Sequence, residues 1–397
     1  MIIGVVGKPS SGKSTFFNAV TMLDVAMASY PFTTIEANKG IGFVRVECAD
    51  KDFEVQCNPR SGFCHNHVRY VPVELIDVAG LVPGAHEGKG MGNQFLSDLS
   101  RADVLIHVVD ASGSTNEKGE SVAAGSHDPE GDILFLEEEI NLWFLGILEK
   151  NWVKFSRLPL DSKSRLVEAM AQNLSGIGAT PLHVEQALDS LHLAEKKLAM
   201  WGTEDKKNFA ARLRELSKPI VVAANKVDTP TAKKFVESLQ KKFPGRLIIP
   251  CSGIAELTLK RAAKDCSIEY WPGEKDFKPL KEMSEKQKLG TEYIRKNVLD
   301  AYAGTGVQEV LEKAVFGLLR YIAIFPGGTK GLADSQGRVL PDVFLMPPKT
   351  TALDFAYRLH TDFGKHFIRA INVKTRLMVG KEHELHSRDV IEIVHSA

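Results

Sequence analysis

The chain has 397 residues, with 50 Lys+Arg against 50 Asp+Glu, 12 His, 5 Cys and 44% hydrophobic residues. That length predicts two or three domains with ample chain to bury a core, and a formal net charge of zero excludes capture of nucleic acid or anionic lipid over the whole surface. No apolar run approaches the roughly 18–20 residues of a membrane helix, MIIGVV is too short for a signal peptide, and an odd cysteine count predicts a reducing, cytoplasmic setting.

In chain order, Ile2–Val6 is a β-branched apolar run that predicts a strand buried on both faces. It leads into Gly7-Lys8-Pro9-Ser10-Ser11-Gly12-Lys13-Ser14, after which Thr15–Val20 reads as a helix. Val71–Ile76, Val104–Val109, Pro219–Ala224 and Leu247–Pro250 read as further buried strands, each ending in a polar cluster. Strands alternating with helices predict an α/β fold with a mostly parallel sheet, whose ligands sit beyond the carboxyl ends of the strands. Between Ser112 and Lys218 the apolar residues of Ile133–Phe155, Val167–Leu174, Leu182–Met200 and Phe209–Leu216 recur at helical spacing, which predicts a helical insertion. Thr180-Pro181 supplies an N-cap and a first-turn proline. Leu142, Phe144, Leu145 and Leu148 read as its core, and Phe316, Leu318, Leu319, Tyr321, Ile322 and Ile324 as core joining two domains. After Phe325-Pro326-Gly327-Gly328 a small α+β module follows: strand Val343–Met346, helix Ala352–Asp362 with a Thr351/Asp354 capping box, and strands Ala370–Val373 and Val390–Val394.

Gly7-x-x-x-x-Gly12-Lys13-Ser14 between a strand and a helix is a full P-loop. Its glycines let backbone N–H groups curl around a phosphate, and the helix N-terminus adds partial positive charge. Lys13 is placed to bridge the β- and γ-phosphates and Ser14 to ligate Mg²⁺, so residues Gly7, Lys8, Pro9, Ser10, Ser11, Gly12, Lys13, Ser14 and Thr15 form the phosphate site. Asp77-Val78-Ala79-Gly80 closes an adjacent strand, with Asp77 reaching Mg²⁺ through water and the Gly80 N–H facing the γ-phosphate. Asn225-Lys226-Val227-Asp228 follows another strand. The Asp228 carboxylate can accept from both N1–H and the 2-amino group of guanine, a donor pair that adenine lacks. Asn225 braces the P-loop, the Lys226 stem covers the ring, and Ser252-Gly253 offers a backbone N–H to the base.

These residues resemble the Obg superfamily of translation-factor-related GTPases, and within it the YchF-like group. The resemblance is carried by Gly7–Pro9, Lys13–Asn18, Tyr30-Pro31-Phe32-Thr33-Thr34, Asp77–Ala85, the glycine-rich Gly88-x-Gly90-x-Gly92-Asn93-x-Phe95-Leu96 and Gly306–Leu311. It implies a P-loop NTPase domain (1–112 and 217–325), an inserted helical domain (113–216) and a C-terminal β-grasp module similar to a TGS domain (326–397). It implies a Mg²⁺-dependent GTPase that binds GTP and GDP, with Lys13, Thr34 and Gly80 catalytic and Ser14, Thr34 and Asp77 at the metal. Thr33-Thr34 is then the first switch and Gly84–Gly92 the second, whose glycines allow large backbone changes. Typical YchF-like proteins have lost the NKxD acid and lysine and accept ATP; the intact motif here predicts guanine specificity. Ser10 stands where related GTPases carry an asparagine that helps hold potassium. Leu81 stands where Ras-like enzymes orient water with glutamine, so intrinsic hydrolysis should be slow. His86 and Glu87 read as solvated loop residues, with water positioning as the alternative. The implied partner is the ribosome or structured RNA, with a protein partner through the insertion a secondary option and no membrane or DNA expected.

Cys48, Cys57, Cys64, His65 and His67 cluster before the Asp77 strand. An unliganded surface hairpin is the first reading, since the spacing lacks a tight C-x₂-C knuckle. A zinc site on Cys48, Cys57, Cys64 and His67 and a Cys57–Cys64 disulfide stay open beside it. His360, His366, His383, His386 and His395 read as solvated surface. Arg358, Lys365, Arg369, Lys374, Arg376 and Lys381 read equally as an RNA-facing patch or a mixed solvated face.

Overall fold

The computed structural model describes residues 1–21, 38–79, 92–156 and 162–396. The first strands are β1 (Ile2–Val6), β2 (Lys39–Glu47), β3 (Phe63–His65), β4 (Val68–Asp77), β5 (Val104–Asp110), β6 (Ile220–Asn225) and β7 (Ile248–Pro250). The helices among them are α1 (Lys13–Thr21), α2 (Gly92–Arg101), α3 (Glu130–Ser156), α4 (Lys163–Leu174), α5 (Pro181–Ser190), α6 (Thr203–Ser217), α7 (Ala232–Lys242) and α8 (Gly253–Lys264). The chain divides into two compact units. One holds the described residues of Met1–Met22, Ala37–Gly40 and Glu74–Ala314, the other those of Ile41–Val73 and Val315–Ala397.

In the first unit the strands run β4-β1-β5-β6-β7, every neighbouring pair parallel. Register decides the position of the site. Val5 lies opposite Asp77, Val6 opposite His107, and Asp110 opposite Asn225, so the polar residues that end these strands share one carboxyl edge. One face of the sheet packs on the helices of the 113–216 stretch. Val6, Ile76 and Leu105 share a single core with Phe144, Leu148, Met170, Leu188 and Phe209. The apolar stripes of this helical insertion close on the sheet itself. The other face buries Val109, Val222 and Ala224 against Val236 and Leu239 of α7.

The expected helix over Leu182–Met200 stops at Ser190. Leu193 N–H bonds the Leu188 carbonyl and His192 N–H that of Asp189, while His192 adopts φ of 53°. This is a Schellman ending with histidine where glycine is usual. Thr180 caps α5 as expected, with the His183 ring completing the capping box. Beyond α8, β8 (Ile268–Glu269) and β9 (Lys278–Pro279) form an antiparallel ribbon, followed by α9 (Glu285–Ile294) and α10 (Val307–Glu312).

The second unit contains the β3–β4 hairpin and a five-stranded sheet. Its strands are β10 (Ile322–Pro326), β11 (Phe344–Met346), β12 (Phe367–Asn372), β13 (Leu377–Val379) and β14 (Val390–His395), in the order β11-β10-β14-β12-β13. β10 and β14 are parallel and the other pairs antiparallel, and α11 (Ala352–Leu359) with the short α12 (Thr361–Lys365) completes a β-grasp fold. Ile324, Met346, Phe355, Ala370 and Ile391 form its core. Of the apolar run read as joining core, Ile322 and Ile324 belong to a strand of this module. Arg320, at φ of 54°, breaks the run between the helical Lys313–Leu318 and β10. Thr351 and Asp354 form the expected capping box. Among the described residues no helix is long and apolar enough to cross a membrane.

Candidate functional site

The P-loop turns between the end of β1 and the start of α1. Two of its glycines have steric reasons. A Cβ on Gly7 would sit 2.6 Å from the Val108 carbonyl oxygen, and Gly12 has φ of +90°, where an added Cβ would run into the Asn225 amide. Ser10 is left-handed as well, at φ of 61°. Helix α1 begins at Lys13, so the loop's amides and the helix N-terminus open to the same side. The Lys13 ammonium meets the Asp77 carboxylate and donates to the Val78 carbonyl at 2.9 Å. Ser14 is exposed beside it.

Asn225 ties this loop to the base-side elements. Its Nδ2 donates to the Ser11 carbonyl at 3.1 Å, and its Oδ1 accepts from Gly253 N–H at 2.9 Å. Asp228 Oδ1 accepts from the Ser252 hydroxyl at 2.6 Å, and Ser252 also caps α8. Gly253 lies against Phe16 of α1 closely enough that a Cβ would come within 3.2 Å of its backbone. The Lys226 stem passes Gly12, and its ammonium reaches Asp110 at 2.8 Å.

Asp110 and Asp132 were not singled out from sequence. Asp110 is fully buried at the end of β5 and accepts from Ser112, Ser114, Thr115 and Lys226. Burial alone would raise its carboxyl; the hydrogen bonds from Lys226, Ser112 and Thr115 outweigh that and hold it below the ordinary carboxylate range. The legible signal was an acid directly after the buried run Val104–Val109. Asp132 pairs with Lys8 at 2.7 Å, both side chains 7% exposed, and contacts His127 at 3.1 Å. Lys8 also donates to the Thr115 carbonyl at 2.8 Å. The Lys8 side chain, expected at the phosphates, is therefore directed into the loop after β5, leaving its backbone in the P-loop.

Thr33, Thr34, Gly80, Leu81, His86 and Glu87 lie outside the described residues. In the second unit Cys48, Cys57 and Cys64 converge, with Asp50 as their companion; His67 Nδ1 lies 2.9 Å from Asp50 Oδ1, one shell further out.

The strand–loop–helix cradle, with its carboxylate at the next strand and a braced Asn-Lys-x-Asp element, defines a P-loop NTPase. Three family profiles match: "50S ribosome-binding GTPase" over residues 2–136, "Obg-like GTPase YGR210-like, G4 motif-containing domain" over 223–327, and the TGS domain over 336–395. An uncharacterised GTP-binding protein of Methanocaldococcus jannaschii is 45% identical over 100% of this chain and 99% of its own. One of Schizosaccharomyces pombe is 40% identical over 89% and 88%. The crystal structure of a GTP-binding protein from Pyrococcus horikoshii covers 100% of both chains at 38% identity, with a TM-score of 0.79. The chain belongs to the Obg-like, YchF-like family of GTP-binding proteins that end in a TGS domain.

Proposed function

We propose that the protein is a Mg²⁺-dependent GTPase that hydrolyses GTP to GDP and phosphate by direct attack of water and works as a molecular switch. The observation that carries the guanine reading is the Asn225–Asp228 element. Asp228 is fixed by Ser252, while Asn225 sets its distance from the P-loop by bonding both Ser11 and Gly253. The oxygen donors fit a hard divalent cation: the Ser14 hydroxyl opens α1 and the Asp77 carboxylate meets Lys13. When bound, Mg²⁺ supplies charge neutralisation on the β- and γ-phosphate oxygens. Lys13 and the P-loop amides stabilise negative charge developing on the transferred phosphoryl group. In this reading Thr34 and Gly80 serve the γ-phosphate, and the apolar Leu81 leaves water without an orienting group, so turnover without an activator is slow.

The profile named for 50S ribosome binding and the TGS match support the ribosome, or structured RNA, as the partner that reads the nucleotide state. Titration of the full chain with GTP, GDP and ATP tests the first part; ATP binding as tight as GTP overturns the guanine assignment. Co-sedimentation with ribosomes in the presence of a non-hydrolysable GTP analogue, GDP or no nucleotide tests the second. Binding indifferent to nucleotide overturns the switch.

A further inference from the structure

We propose that Cys48, Asp50, Cys57 and Cys64 form a structural zinc site in the second unit. The four ligand atoms all lie within 4.8 Å of one another, although the residues come from four different local structures. Cys48 follows β2, Asp50 sits in the 3₁₀ helix Ala49–Phe53, Cys57 lies in the loop after it, and Cys64 is the middle residue of β3. The hairpin that brings Cys64 in has a two-residue turn, Asn66-His67, with both residues left-handed at φ of 48° and 58°.

The distances match a tetrahedral metal rather than a disulfide. Cys48 Sγ and Cys57 Sγ are 3.6 Å apart, against about 2.05 Å for an S–S bond. With Zn–S bonds of about 2.3 Å, neighbouring sulfurs of a tetrahedron are separated by roughly 3.8 Å. Cys64 Sγ to Asp50 Oδ2 is 3.8 Å. Three thiolates with one carboxylate suit a borderline-soft dication in a closed structural site. They do not suit magnesium or calcium, which take oxygen, and they fall short of the four cysteines of common iron–sulfur clusters.

The surroundings are those of an anionic metal site. Arg69 faces Cys64 across the hairpin and is fully buried. Its Nη1 donates to Cys57 Sγ at 3.2 Å, and its remaining guanidinium contacts are the Leu340 and Pro341 carbonyls. A buried guanidinium aimed at sulfur fits a thiolate there, and a site of four anionic ligands stays negative after a dication binds. Asp50 is oriented from both sides, its Oδ2 accepting from Cys57 N–H at 3.1 Å and its Oδ1 lying 2.9 Å from His67 Nδ1. Cys48, Asp50 and Cys57 are buried, which closes the site to water. The metal would staple a stretch with little regular secondary structure. That stretch hydrogen-bonds the Val339–Pro341 segment through Asn58 and Arg60 N–H. Loading releases the thiol protons and adds binding energy to the folding of this unit.

The test uses the full chain, purified under reducing conditions without added metal. Elemental analysis should find about one zinc per chain, and replacement by cobalt(II) should give the visible bands of a tetrahedral ion with thiolate charge transfer. Cys57→Ser and Cys64→Ser should each lower retained zinc about tenfold or more after dialysis against a chelator. Cys64 is the most exposed ligand, so its serine variant is the one expected to stay folded, and an unchanged circular-dichroism spectrum together with unchanged GTP affinity checks that it has. Absence of zinc after reconstitution, a Cys48–Cys57 or Cys57–Cys64 disulfide found by mass spectrometry without reduction, or full zinc content in both variants would each overturn the site.

Discussion

The side-chain amide of Asn225 donates to the carbonyl of Ser11, joining the end of β6 to the phosphate loop at 3.1 Å. Both residues are buried, and the amide oxygen is used as well, by Gly253 N–H. Asn225→Ala leaves the Ser11 carbonyl and the Gly253 N–H without these partners, at a cost of about 1–3 kcal/mol for each group left unsatisfied. Thermal unfolding should register the loss, and GTP affinity measured calorimetrically should fall about tenfold or more, because the loop and the base-side acid no longer share a brace. Wild-type affinity in a destabilised variant would show that the brace serves the fold alone.

Asp228 is the residue on which base choice turns. A carboxylate accepts from both N1–H and the 2-amino group of guanine, and Ser252 fixes the Oδ1 side of it. Asp228→Asn replaces one acceptor with a donor that faces the amino group. GTP binding should weaken by about 100-fold, the scale of one mispaired polar group in a buried site. Xanthosine triphosphate, whose carbonyl replaces the amino group, should bind the variant more tightly than GTP. A variant that keeps its GTP affinity would remove the guanine assignment.

Lys8 and Lys13 lie in the same loop and serve different partners. Lys13 faces Asp77 at the mouth of the cradle, whereas Lys8 is buried against Asp132. Lys13→Ala should lower GTP affinity about 100-fold through loss of a charge-assisted contact. Asp132→Ala should instead cost about 3–5 kcal/mol of stability, because it strands a buried ammonium; the double replacement Lys8→Met/Asp132→Leu should recover most of it. Denaturant unfolding of the three variants separates these outcomes. A double variant no more stable than Asp132→Ala would mean that the stranded ammonium is not what the single replacement costs.

The elements legible in the sequence are those whose chemistry demands a fixed local spacing. The P-loop, Asp77 and Asn225–Asp228 each sit within a few residues of a strand end, so hydrophobic runs located them. Asp110 and Asp132 were not legible because their partners are remote: Lys226 reaches Asp110 across 116 residues of chain, and Lys8 reaches Asp132 from the other end of the domain's first half. Local breaks escaped for a different reason. His192 and Arg320 take left-handed conformations without being glycine, and nothing in their side chains announces it. The apolar runs around them therefore read as continuous, and a Schellman ending and a strand start were both missed.

His107 sits inside β5, one strand from the P-loop, and its ring is fully enclosed, with Nδ1 lacking a hydrogen-bond partner among the described residues. Burial first, and the Lys8 charge second, push its pKa down to about 3. The unfolded chain titrates the same ring near the ordinary value of about 6.5. Above that value both states are neutral and stability is complete. Between about 6.5 and 3 the unfolded chain binds a proton that the native ring refuses, so stability falls as pH falls. The slope approaches about 1.4 kcal/mol per pH unit, which amounts to about 2 kcal/mol by pH 5. Urea unfolding at pH 7.5, 6 and 5 should show this loss, and His107→Leu, which cannot take the proton, should flatten it by a similar amount. Equal pH dependence in the two proteins would assign the acid sensitivity to other groups.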